Sequence, residues 1–100
     1  MLKHQGSLDA RIALRRERTV LSLRRTEDGV IFRYAVGESC ESPVFYSVYA
    51  EYIDGDCHTV GEIPHLSQSR EQAENFCALL ERFLATPLSL EALYEDVMTP

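Results

Sequence analysis

Three histidines and three cysteines have the widest chemical range in this 100-residue chain: His4, His58, His65, Cys40, Cys57 and Cys77. A histidine works as a general base when a carboxylate orients it. With a two-residue turn at Asp54-Gly55, His58 lies directly across a hairpin from Glu51. No nucleophile stands beside that pair, so a surface cross-strand contact worth about 0.2–1 kcal/mol is expected. Cys57, His58, His65 and Cys77 are residue types that zinc takes. Cys57 and His58, however, are neighbours in a strand and point to opposite faces, so no metal is expected. Cys40 sits in GESCESP, where Glu38 and Glu41 favour the protonated thiol, and an ordinary loop thiol is expected. The segment IDGDCHTVGE opens as Asp-x-Asp but lacks the central glycine and closing glutamate of a calcium loop. No phosphate loop, dinucleotide fingerprint or serine elbow is present, and no cofactor is expected.

A second chemistry lies in the arginines. Arg11, Arg15, Arg16 and Arg18 form a basic arm, continued by Arg24, Arg25 and Arg33, and such a set suits a phosphate backbone. Residues 1–25 hold seven basic side chains against two acidic ones, and residues 26–100 hold three against fourteen. The net charge of -6 and pI near 4.9 thus hide a basic head on an acidic body. A nucleic-acid binder is usually basic over its whole domain. The arginines are therefore expected to neutralise acidic helices, in this chain or a neighbour, with nucleic acid as the lesser partner.

One hundred residues make one domain with one core. No apolar run is long enough to span a bilayer, and MLKHQGSLDARIALRRER has no apolar core of a signal peptide. An odd cysteine count without CxxC spacing fits a reducing compartment, so a cytoplasmic protein with no membrane partner is expected. Cys57 and Cys77 are expected as small buried hydrophobes.

The elements that position these residues begin with a hairpin over Ser42 to Ile63, turned at Asp54-Gly55, a pair suited to the positive φ angles of a tight turn. Alternation puts Val44, Tyr46, Val48, Ala50, Tyr52, Cys57, Thr59 and Ile63 on a core face. Phe45, Ser47, Tyr49, Glu51, Ile53, His58, Val60 and Glu62 share the other face. A second Asp-Gly pair, Asp28-Gly29, turns Arg18–Arg25 onto Val30–Val36. Arg25 then pairs with Phe32, Leu23 with Tyr34 and Leu21 with Val36. Arg24 lies opposite Arg33, and that like-charge pair calls for a carboxylate on the neighbouring strand or an anionic partner. Pro64 is expected to end the last strand. Ser67 is a helix cap, with Ser69 and Gln72 as an alternative capping box. Ala73, Phe76, Cys77, Leu80, Phe83 and Leu84 recur at helical spacing over about residues 68–85. Thr86-Pro87 starts a further helix with Leu90, Leu93, Tyr94 and Val97 on one side.

This C-terminal half resembles a small uncharacterised clostridial-type bacterial family. The resemblance covers about residues 44–98 and rests on Tyr46, Leu66, Ser67, Thr86, Pro87, Leu90, Val97 and the Glu95-Asp96 pair. Ser47 stands where the family has glycine, and Ser89 where it has histidine. The family has no assigned activity, so the resemblance implies none.

The expected fold is α+β: a four-stranded antiparallel meander sheet with two C-terminal helices packed on one face. Residues 1–17 are expected as a basic arm, either a short helix capped by Ser7 or a strand through Ile12 and Leu14. Residues 18–100 form the single α+β domain. The expected function is a non-enzymatic interaction or regulatory domain. Its interaction residues are Arg24, Arg33, Phe45, Tyr49, Glu51, His58 and Val60, on a sheet face that the first seventeen residues can cover in part, through Leu8, Ile12 and Leu14, and that is otherwise open to a second copy or an unknown protein. The alternatives are a nucleic-acid-associated factor using the arginine arm, and a small-ligand binder or enzyme with a pocket between sheet and helices.

Overall fold

Two tight turns, at Asp28-Gly29 and at Gly55-Asp56, bend the chain into its sheet. In the computed structural model, which describes residues 7–98, the first hairpin joins β1 (Glu17–Glu27) to β2 (Val30–Ser39). Asp28 and Gly29 both have positive φ, at 52° and 81°, the sign pattern of a type I′ turn. The register is the expected one: Arg25 faces Phe32, Leu23 faces Tyr34 and Leu21 faces Val36. The second hairpin joins β3 (Tyr46–Asp54) to β4 (Cys57–Ser67). Here the turn residues are Gly55 and Asp56 rather than Asp54 and Gly55, and Asp54 faces Cys57. Only Gly55 has positive φ, at 59°, and glycine at the first turn position is the type II′ preference. The turn has moved by one residue on each strand. The parity of the faces survives, while every cross-strand partner changes.

The four strands follow sequence order in one antiparallel sheet. The α+β meander is therefore the observed fold, with α2 (Arg70–Phe83) and a 3₁₀ turn (Pro87–Ser89) leading into α3 (Leu90–Met98). Phe32, Tyr34, Val36, Val48, Ala50, Phe76, Cys77, Leu80 and Leu90 form the main core between sheet and C-terminal helices. Leu93 packs against its edge. The expected burial of Val97 lies outside the residues whose side chains are described. The Tyr34 hydroxyl donates to the Ala85 carbonyl at 2.7 Å, closing the core over the C-terminal end of α2.

Several local expectations are corrected. Pro64 does not end β4. The strand runs on to Ser67 through an irregularity opposite Ser47, where Pro64 lacks only a donor that the irregular ladder does not use. The N–H of His65, at φ 52°, donates instead to the Ser47 hydroxyl at 3.0 Å. The cap of α2 is Ser69, which accepts from the Gln72 N–H, while Ser67 holds the chain before it by accepting from the Ser69 N–H. Cys57 is exposed, because the shifted turn puts it at the hairpin tip, beyond the reach of α2. Val44 precedes β3 and is exposed rather than on the core face.

The largest correction concerns the second sheet face. Residues Leu8–Leu14 form α1, capped by the Ser7 hydroxyl. Leu8 and Ile12 pack on Ala35 and Tyr49 in a separate small core. Tyr49 is expected from the sequence on the open face, yet it and Ala35 beside it are wholly buried. The sheet thus has helices on both sides. Arg15 and Arg16 alone separate α1 from β1. Among the described residues no helix is long and apolar enough to cross a membrane.

Candidate functional site

The site is the polar seam between α1 and the outer sheet face. Strand alternation puts Arg33 of β2, Glu51 of β3 and His58 of β4 on that face. Glu51 is 2 % exposed, buried under α1 although a glutamate rarely is. Three donors compensate. The Arg33 guanidinium donates to Oε1 at 3.0 Å, and the Leu8 N–H donates to Oε2 at 3.2 Å. His58 Nε2 lies 2.6 Å from the same Oε2. The His58–Glu51 contact is diagonal, since the register sets His58 opposite Ile53 and Val60 opposite Glu51. Arg33 also donates to both carboxylate oxygens of Asp9, at 3.2 and 3.3 Å.

Glu51 answers the like-charge problem at Arg24–Arg33. It is the cross-strand neighbour of Arg33 on β3, so the carboxylate expected from the adjacent strand is present. Arg24 remains exposed on the edge strand, and neither it nor Arg16 makes an ion pair among the described residues.

Two further carboxylates complete the seam. Glu62 accepts from Arg11 at 3.1 Å and from Arg15, and its hydrogen bond holds the Arg15 guanidinium pKa above its ordinary value. Glu17 accepts from the Tyr49 hydroxyl and from the Ser47 hydroxyl, the latter at 2.8 Å. Burial, then the bond to Glu17, pushes the Tyr49 hydroxyl pKa up. Gly37 makes room for that contact: a Cβ there would stand 2.5 Å from Glu17 Oε1. Every buried side-chain nitrogen and oxygen among the described residues has a hydrogen-bond partner.

The arginines therefore neutralise carboxylates mainly on strands, not on the helices that were expected. Arg11 and Arg15 serve β4, and Arg18 serves Glu38 of β2. Among the described residues outside α2, only Arg25 pairs with an α2 carboxylate, Glu81. The reason is placement: the arm folds back over the outer face, whereas α2 and α3 lie on the other.

Beside the seam is a cleft of about 730 Å³ between the α1–β1 joint and the irregular end of β4. Arg15, Arg16, Cys40, Glu41, Glu62 and His65 are among its lining. The Cys40 thiol donates to the Arg16 carbonyl at 2.9 Å, and the His65 ring stacks on Phe45 with centroids 5.1 Å apart. Cys77, by contrast, is buried in the main core, and that burial raises its pKa to about 12.

Arg33, Tyr49, Glu51 and His58 come together at the seam. Val60 lies beside it on β4, Phe45 packs against His65 of the cleft, and Arg24 stands apart. Asp9, Glu17 and Glu62 were not singled out from the sequence. For Glu62 a signal existed, since it shares strand parity with Val60. For Glu17 there was none: a shift between Thr19 and Leu21 turns the start of β1 over, and a bulge leaves no mark in the residue pattern. Comparison with family models, curated proteins and solved structures finds no match for the chain.

Proposed function

We propose that the protein is a small cytoplasmic, non-enzymatic interaction or regulatory domain that works through the outer face of its sheet, as a homodimer or with another protein. One observation carries this: the groups with catalytic chemistry are spent on docking α1 and on tying the strands of the outer face to one another. Glu51 takes three donors, Glu62 takes two guanidinium groups and Glu17 takes two hydroxyls. A recognition surface satisfied by the chain's own short helix is suited to a comparable helix from elsewhere. The three cysteines are all free thiols, which supports a reducing compartment. The clostridial-type family remains the proposed kinship, resting on the Tyr46, Thr86-Pro87 and Glu95-Asp96 positions.

Affinity capture from a native lysate tests the function. The expected result is a discrete protein, or a second copy of the chain, retained by the wild type and altered in the Glu62→Arg variant. A capture dominated by RNA or DNA, with affinity falling steeply as salt rises, would contradict it. The nucleic-acid alternative draws on fewer guanidinium groups than the arginine count suggests, because Arg11, Arg15, Arg18 and Arg33 are already paired.

A further inference from the structure

The α1 segment is held by unusual means for a helix that completes a fold. It is seven residues long and buries two apolar side chains, Leu8 and Ile12. An isolated helix of that length is not stable in water, so α1 exists through its dock. The dock is mostly polar and directional: Glu51 to the Leu8 N–H, Arg33 to Asp9, and Glu62 to Arg11 and Arg15.

The tether is equally specific. Only Arg15 and Arg16 join α1 to β1, and Arg16 has φ 57°, a left-handed conformation that a non-glycine residue adopts at a cost. The reversal at Arg16 folds α1 back onto its own sheet. Opening that residue to an extended conformation removes the strain and points α1 away from its own chain. Short hinges under strain favour exchange of an element between identical chains.

We propose that α1 exchanges between two copies of this chain, so that the helix of each docks on the outer face of the other. This rests on the interaction reading above and names its partner as a second copy. The charges on the page fit that occupant. A second α1 brings the same Asp9 for Arg33, the same Arg11 and Arg15 for Glu62, and the same backbone N–H for Glu51. Closed monomer and exchanged dimer share every docking contact, so they differ only in hinge strain and in the entropy of association.

A charge-reversal mixture tests exchange directly. One chain carries Glu62→Arg, and the other carries Arg11→Glu with Arg15→Glu. Each alone sets like charges against each other, whether closed or exchanged with itself. In the exchanged heterodimer both docks are complementary: reversed helix on reversed strand, and native helix on native strand. The expected result, by sedimentation at tens of micromolar, is a species of twice the 11.4 kDa chain mass that forms only on mixing. Adding Leu8→Asp and Ile12→Asp to the second chain should abolish it. Two folded monomers that ignore each other, or a heterodimer that survives the Leu8 and Ile12 changes, would overturn the proposal. Should either charge variant fail to fold, deletion of Arg16 decides. The shortened tether should give a stable dimer, and a monomer with an undocked α1 would contradict exchange. Lysate capture of a different protein would still leave the interaction reading standing, so the two fail separately.

Discussion

Removing the Glu51 carboxylate, at a position 2 % exposed, would leave the Leu8 N–H and the His58 ring without their acceptor and the Arg33 guanidinium with Asp9 alone. Orphaning buried donors costs about 1–3 kcal/mol each before relaxation, and part-exposed Arg33 and His58 recover some of that from water. Glu51→Ala is therefore expected to lower stability by roughly 2 kcal/mol and to release α1, read by denaturant midpoint and by hydrogen exchange at Leu8. Protection at Leu8 that outlasts the change would show that the carboxylate does not hold the helix. High pH tests a second set of residues. Burial raises the Cys77 thiol from 9.0 to about 12 and pushes up the Tyr34 and Tyr49 hydroxyls. The native state then keeps protons that the unfolded chain gives up. Stability is full below pH 9 and falls as pH rises toward 12, at about 1.4 kcal/mol per pH unit for each such group. A denaturant midpoint unchanged between pH 8 and pH 11 would contradict the burial of these three side chains.

At the scale of elements, strand parity and helical spacing were readable, while turn position and bulges were not. The first hairpin follows its Asp-Gly pair to the residue. The second does not, because a glycine with one positive φ satisfies a type II′ turn as well as its neighbour satisfies a type I′ turn. His58 still reached Glu51, since a two-residue register change keeps both on one face and a diagonal contact replaces the direct one. Pro64 misled because the missing donor falls at an irregularity, where the Ser47 hydroxyl rather than β3 backbone receives the next N–H. The amphipathic spacing of Phe76, Cys77 and Leu80 led straight to the core. Leu80 is fully buried beneath the sheet, and Leu80→Ala should cost about 2–5 kcal/mol in a denaturation series. A cost under half that range would mean the cavity collapses or α2 packs more loosely than its burial implies. Gly55→Val should be destabilising too, since a β-branched residue resists φ 59°, and the second hairpin should then lose hydrogen-exchange protection before the first.

At the scale of the molecule, charge asymmetry was plain in the composition and its geometry was not. A basic head on an acidic body suggested long-range attraction between chains. The structure resolves much of that attraction within the chain, through Arg11, Arg15, Arg18, Arg25 and Arg33. The outer face was expected to be covered only in part by the N-terminal segment, because a seven-residue helix with two buried apolar positions leaves a weak periodic signal. With α1 in place, salt should act differently on rate and on equilibrium. Screening loosens the Glu62 and Arg33 ties equally in the closed and exchanged forms, so it speeds opening without favouring either. The direct measurement is sedimentation of the wild-type chain over a concentration series, at low and at high salt. The account predicts a reversible monomer–dimer equilibrium in both salts, reached faster in the higher and with a dissociation constant no weaker there, since salt screens the repulsion between two chains of net charge -6. A monomer at every concentration in both salts would contradict it.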